Sequence, residues 1–114
     1  MIDFACKNFN LDEIIKCSLS LTKSEFKIFN FLLKNNSFFN SSSLSSSLSL
    51  DLTTTQRAMK KLYESSILIR SQNNLDKGGY EYTYKIKNKK ELVNIISKII
   101  QNWTDKVKEE LNIW

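Results

Sequence analysis

The sequence contains no histidine and no proline, and it has only two cysteines and two glycines among its 114 residues. A structural zinc site needs four cysteine or histidine ligands, and a nucleophilic enzyme usually needs a base beside its nucleophile. Cys6 and Cys17 alone can supply neither arrangement. The two glycines form the single pair Gly78-Gly79, which excludes a glycine-rich phosphate loop. We therefore predict that the protein is not an enzyme and holds no metal or cofactor.

Long apolar runs are also missing. No segment approaches the ~20 apolar residues of a membrane span, and the first residues lack the basic and apolar regions of a signal peptide. We therefore expect a soluble, cytoplasmic protein without a membrane partner. The length of 114 residues suits one domain. Because little proline or glycine interrupts the chain, we predict a mainly α fold with a small β-hairpin (α+β), whose one sharp turn lies at Gly78-Gly79.

Positive charge is concentrated in one third of the chain. Residues 51–90 hold nine Lys or Arg against four Asp or Glu, an excess of five, which equals the net charge of +5 for the whole chain. A basic region of this kind is typical of proteins that bind nucleic acid, but a solvated surface also collects lysine. Charge alone therefore leaves both interpretations open.

Helical periodicity dominates the first third of the sequence. Apolar residues from Leu11 to Leu19 predict a helix over about residues 10–18, with Asp12 and Glu13 near its positive end. A second helix begins at the capping box Thr22-Lys23-Ser24-Glu25, in which the Thr hydroxyl and the Glu carboxylate bond each other's backbone amides. Its apolar side is predicted to be core, and it comprises Phe26, Ile28, Phe29, Leu32 and Leu33.

Residues 37–50 contain eight serines, a composition typical of flexible linkers. Leu44 and Leu48 nevertheless lie one helical turn apart, which a solvated linker does not require. We therefore favour a short helix near 41–48 that buries both leucines. The short connection to Asp51, a good helix N-cap, then has the spacing of a helix-turn-helix.

The helix over 51–65 carries polar and cationic side chains on one side and Thr55, Met59 and Leu62 on the other. Arg can bond guanine in two places, Gln can do so with adenine, and Thr can contact phosphate or a thymine methyl. An ordinary amphipathic surface helix is the alternative interpretation. We favour a helix that reads the DNA major groove, with Arg57 as the main base contact.

A β-hairpin follows. Residues 67–72 are rich in β-branched residues, residues 80–87 alternate between apolar and polar, and the segment between them has the composition of a turn. Tyr80, Tyr82, Tyr84 and Ile86 share one face, which we expect to lie mostly in the core, although tyrosines can also stack on bases. The basic residues of the hairpin are expected to contact flanking phosphates, as in the wing of a winged helix.

The sequence from residue 88 onward predicts one long helix of about 24 residues. Its apolar residues recur with a mean spacing close to the helical period. The apolar surface is wider than this one line of residues, because it also includes Val93, Ile95 and Ile100. Its width favours pairing with a second copy over folding back on the same chain. The predicted dimerisation residues are Leu92, Ile96, Ile99, Trp103, Val107 and Leu111.

The elements run from Leu21-Thr22-Lys23-Ser24-Glu25 through the cationic helix, the strand from Ile67 and the Gly78-Gly79 turn to the terminal helix. This order resembles that of small archaeal winged-helix regulators of the Lrs-like and TrmB/MarR-like type. Two features differ from such families. The helix near 41–48 is rich in serine, and Ser65-Ser66 stands at the junction of helix and strand, where such families often have glycine. The resemblance implies a single winged-helix domain over 1–114, with its core at 10–87 and a dimerisation helix at 88–114. It also implies a homodimeric transcription regulator.

We accordingly expect double-stranded DNA and a second copy of the chain as partners, with no evident small-molecule ligand. The predicted DNA-binding residues are Thr53, Thr54, Gln56, Arg57, Lys60, Lys61, Arg70, Lys77 and Lys85. A winged-helix module that uses its basic face for an acidic protein is the rival interpretation.

Cys6 and Cys17 leave three alternatives open. Reduced thiols are usual inside cells, but cytoplasmic disulfides occur in hyperthermophilic archaea. The pair is therefore interpreted as inert thiols, as a disulfide within or between chains, or as a redox sensor.

Overall fold

A computed structural model describes residues 2–4 and 7–114, with side chains from residue 8 onward. The elements that it describes are β1 (Ile2–Phe4), β2 (Lys7–Phe9), α1 (Leu11–Ser18), α2 (Lys23–Lys34), α3 (Ser41–Leu48), α4 (Leu52–Glu64), β3 (Leu68–Asn74), β4 (Tyr80–Ile86) and α5 (Lys89–Ile113). They form two compact units, one over Thr22–Asn88 and one that combines Met1–Leu21 with Lys89–Trp114. None of the helices in the described ranges is long and apolar enough to cross a membrane.

The unit Thr22–Asn88 is a winged helix-turn-helix. Helices α2 and α3 pack on α4, while β3 contacts α4 and β4 contacts α2. The core residues of this unit are Ile28, Phe29, Leu32, Leu44, Ala58, Met59, Leu62, Ile67, Leu68, Tyr84 and Ile86. The predicted fold class, mainly α with a hairpin and a long C-terminal helix, is therefore confirmed.

The helix starts follow the local chemistry that the sequence predicts. At α2 the Thr22 side chain accepts a bond from the Glu25 amide at 3.2 Å, and Glu25 Oε1 accepts one from the Thr22 amide at 2.7 Å. The serine-rich segment is helical at 41–48, and Asn40 caps it by accepting from the Ser43 amide at 2.7 Å. Leu44 is fully buried and Leu48 is half-buried, so this segment is no linker.

Three helices end alike, with a serine in the left-handed conformation where glycine is common. The φ angles are 54° at Ser20, 54° at Ser49 and 67° at Ser66. In each case the next residue donates its amide proton to a carbonyl five positions earlier, at 2.9 to 3.1 Å: Leu21 to Lys16, Leu50 to Ser45 and Ile67 to Leu62. Serine therefore takes the place of glycine at these helix ends.

The wing is the antiparallel hairpin β3–β4, in which Leu68 pairs with Ile86 and Asn74 with Tyr80. The first strand, predicted over 67–72, begins one residue later and ends two residues later than predicted. The turn lies at Gly78 and Gly79, whose φ angles of 89° and 81° favour glycine.

A third segment joins the base of the wing. Phe39 and Tyr84 exchange backbone hydrogen bonds of 2.8 and 2.9 Å. A bridge of one residue pair leaves no periodic pattern in the sequence, so the sequence does not reveal this contact.

The aromatic face of β4 is less buried than expected. Tyr84 and Ile86 belong to the core, but Tyr82 is half-buried and Tyr80 is 54% exposed. The expectation that most of this face is core is therefore wrong for its outer half, because the hairpin extends beyond the helices there.

The second unit contains α5 and the N-terminal segment. Helix α1 contacts α5, and Leu19, Leu21 and Leu92 are buried. The hairpin β1–β2, which pairs Ile2 with Phe9, was not predicted from the sequence. Each of its strands has three residues, too few for an alternating pattern to be recognised.

Candidate nucleic-acid interface

Helix α4 is held in place from its first residue. Asp51 is its N-cap and accepts a bond from the Thr54 amide at 3.2 Å. Residues 49–51 are the whole connection from α3, and the left-handed Ser49 makes the reversal possible. The short connection fixes α4 against α3, as a helix-turn-helix requires.

The two sides of α4 differ completely in burial. Thr55, Ala58, Met59 and Leu62 are buried, and the Thr55 hydroxyl donates to the Asp51 carbonyl at 3.0 Å. The predicted reading residues Thr53, Thr54, Gln56, Arg57 and Lys60 are all exposed. Arg57 forms no ion pair or hydrogen bond with any side chain in the described part of the chain, so its donors are available to a ligand.

Lys61 occupies a different environment from the other cations of α4. Its Nζ donates to Glu25 Oε1 at 2.8 Å, and the exposed fractions of the two side chains are 39% and 12%. Burial raises the pKa of Glu25, but the bonds from Lys61 and from the Thr22 amide outweigh burial, so its pKa lies below the usual value. Lys61 therefore ties α4 to the capping box of α2.

Arg70 on β3 lies against two tyrosine rings. Its Cζ is 4.3 Å from the ring centroid of Tyr63 on α4 and 4.1 Å from that of Tyr82 on β4. Tyr63 also makes an edge contact with the buried Tyr84, at 6.0 Å between centroids. Such cation–π contacts position a guanidinium without neutralising its charge.

The remaining wing cations lie apart from Arg70. Lys77 is exposed in the turn beside Gly78, and the Lys85 Nζ lies 5.7 Å from the ring of Phe38. Lys85 and Arg70 stand on opposite faces of the hairpin, since Arg70 pairs with Tyr84 rather than with Lys85.

An open cleft of about 520 Å³ lies between the start of α3, residues 56–64 of α4 and the wing. The structure brings three predicted residues together here, namely Gln56, Lys60 and Arg70. The other residues that line it are Asn40, Ser41, Ser42, Tyr63, Glu64, Glu81, Tyr82 and Tyr84.

Sequence reasoning missed Tyr63 as a site residue. Tyr63 follows Lys60 by three positions, and Lys60 follows Gln56 by four. This helical spacing indicates that all three residues share one side of α4.

The predicted dimerisation residues divide into two groups along α5. Leu92 is buried, and Ile96 and Ile99 are half-buried. Further along, Trp103 and Leu111 are each 59% exposed and Val107 is 40% exposed. The second half of α5 thus presents an apolar stripe to solvent.

Of the two cysteines, Cys17 is exposed and has a free thiol. Cys6 lies outside the described residues, and the prediction about the pair stays open. No cluster of metal-ligating side chains occurs in the part of the chain that the structure describes.

Comparison with known proteins identifies the family. The model of the DnaD N-terminal domain matches residues 9–107. The chain belongs to the DnaD N-terminal domain family. An uncharacterized protein of Methanocaldococcus jannaschii is 29% identical over 105 residues, which cover 91% of this chain and 78% of the relative.

Solved structures with a similar fold are also known. A possible transcriptional regulator from Methanosarcina mazei Go1 is 49% identical, with a TM-score of 0.93 over 100% of this chain and 96% of that one. Apo MarR from Escherichia coli shares the fold at 22% identity and a TM-score of 0.52, over 79% of this chain and 65% of MarR. The resemblance to small archaeal winged-helix regulators is thereby confirmed.

Proposed function

We propose that this protein is a transcriptional regulator that binds double-stranded DNA as a homodimer. Helix α4 enters the major groove, and the wing contacts the backbone or the minor groove. Residues 1–114 act as one DNA-binding domain in this proposal, in which α5 pairs two copies. The proposal includes a cytoplasmic location for the protein.

The observation that supports DNA binding most directly is the exposed side of α4. Thr53, Gln56, Arg57 and Lys60 face solvent, while the opposite side of the helix is fixed in the core. A rigid helix with a polar, cationic outer face has the width and the donors that major-groove recognition needs. The possible transcriptional regulator from M. mazei, which is 49% identical, supports a regulatory role.

The roles of the individual cations follow from their positions. Arg57 lies in the first half of α4, where side chains of a reading helix contact base edges. We assign phosphate contacts to Lys60 on the same helix and to the wing cations Arg70, Lys77 and Lys85. We include Lys61 with smaller weight, because its ammonium already pairs with Glu25.

The homodimer is supported by the exposed stripe of α5. Large apolar side chains at 103, 107, 111 and 114 are all exposed and follow helical spacing. Monomeric proteins rarely leave such a continuous apolar surface uncovered, and a second copy of the same helix would cover it. Two winged units joined in this way would meet two half-sites about one helical turn apart on the DNA.

The test is a titration of labelled random-sequence duplex at several salt concentrations, followed by selection of bound genomic fragments. We expect affinity to fall steeply as salt rises, because each neutralised phosphate releases counterions. Selection should then enrich a sequence with two related half-sites. Absence of salt-sensitive binding would refute the proposal and favour the rival module that docks an acidic protein.

A further inference from the structure

The cleft beside α4 has a feature that the proposed function does not explain. Arg70 is on the wing, yet its guanidinium rests against Tyr63 of α4 as well as Tyr82 of the wing itself. Three elements thus meet at one cation. A free wing arginine would instead be a mobile chain with several rotatable bonds.

The way in which Arg70 is held leaves its binding capacity intact. Ring faces attract the guanidinium, but they do not occupy its N–H donors in the way that an oxygen acceptor does. Glu64 and Glu81 also line the cleft, but neither forms an ion pair with Arg70 in the described structure. The charge and the planar donor set of Arg70 are therefore both free.

The surroundings of Arg70 suit a phosphate group. Lys60 supplies a second positive charge, and the hydroxyl-bearing Ser41 and Ser42 at the start of α3 also line the cleft. An arginine fork matches two oxygens of a phosphate, and less ordering entropy is lost when the fork is already positioned. Glu64 and Glu81 would repel an anion that sat near them.

We propose that Tyr63 and Tyr82 are positioning residues that hold Arg70 to bind a backbone phosphate of duplex DNA in this cleft. This inference rests on the proposed function and sharpens it. The phosphate contact joins the wing to the reading helix, so that α4 and β3–β4 engage the duplex together. The hydroxyl groups of the two tyrosines are not needed, because the ring faces do the positioning.

The first test is the salt dependence of duplex binding by Arg70→Ala, with the full chain. We expect affinity to fall about tenfold and the slope of log K against log salt to become shallower by about 0.9 per chain, the value for one lost phosphate contact. Lys98→Ala, on α5, removes one charge outside this cleft and should leave the slope unchanged.

The second test separates positioning from charge. Tyr82→Leu should weaken binding by about two- to fivefold, the size of an exposed cation–π contact, whereas Tyr82→Phe should stay within about twofold of the parent. In the background of Arg70→Ala, Tyr82→Leu should have no further effect, because no cation is left to position. Thermal melts identify any variant that fails to fold. Tyr63→Phe is a second variant that keeps its ring and, like Tyr82→Phe, should bind as the parent does.

The outcomes distinguish the two proposals. A parent protein without salt-sensitive DNA binding overturns the proposed function. A parent that binds normally, with Arg70→Ala unchanged in affinity and slope, overturns the phosphate contact alone. Equal effects of Tyr82→Leu and Tyr82→Phe would overturn positioning by the rings. Binding of inorganic phosphate by the parent but not by Arg70→Ala, with the DNA affinity of the two proteins equal, would make this a site for free anions instead.

Discussion

Ser66 offers a sharp test of the helix-end geometry. It adopts a φ of 67° after α4, and its side chain is exposed, so replacement by glycine removes no packing. The left-handed conformation costs an L-residue about 1–2 kcal/mol. Glycine avoids this cost but loses about 0.5–1 kcal/mol more conformational freedom on folding. We therefore expect Ser66→Gly to raise the free energy of unfolding by about 0.5–1 kcal/mol, or the Tm by roughly 2–4 °C.

Ser65 supplies the matched control, since it is the neighbouring exposed serine and has an ordinary φ of −80°. Glycine there gains nothing in the folded state, so Ser65→Gly should lower stability by about 0.5–1 kcal/mol. Urea denaturation at one fixed protein concentration measures both variants, because self-association would otherwise shift the midpoint. A Ser66→Gly variant no more stable than the parent, or a gain of equal size at Ser65, would refute the reasoning.

Further predictions concern DNA binding, pairing and pH. Arg57→Ala should cost about 1–3 kcal/mol at one preferred base pair, while Lys77→Ala should weaken binding to all sequences nearly equally; equal losses on every duplex for both variants would contradict these roles. Val107→Asp should convert dimers to monomers in sedimentation without unfolding the chain, since this side chain is 40% exposed; an unchanged mass would exclude the α5 stripe as the interface. Glu25→Gln should lower stability by about 0.5–1 kcal/mol at pH 7 by breaking the pair with Lys61. The pKa of Glu25 is lowered in the folded state, so this contribution is complete above the unfolded value of about 4.3 and is lost as pH falls below it; a difference from the parent that persisted in denaturation at pH 3 would contradict this cause.

Much of the fold was predictable because its determinants are local. The capping box at Thr22 and Glu25 lies within four residues, and the Leu44–Leu48 spacing identifies α3 despite its serines. The Gly78-Gly79 pair places the wing turn in a chain that has no other glycine. Each of these features depends on neighbours within one helical turn or one hairpin.

The departures have equally definite causes. The strands β1 and β2 are too short to show alternation, and the Phe39 bridge is a single residue. Tyr80 follows the same alternation as Tyr84 but extends beyond the helical core. An alternating pattern shows which residues share a face of a strand. It does not show how far along the strand the helices cover that face.

The sequence by itself determined the order of the elements from α1 to α5, the helix that presents Arg57, and the positive charge of residues 51–90, because periodicity, capping and composition act within short stretches. Only the tertiary structure decided what each cation does. It paired Lys61 with Glu25, 36 residues away, and placed Arg70 against Tyr63 and Tyr82. Such contacts depend on the packing of α2, α4 and the wing, and residues far apart in the chain show no periodicity that would reveal them.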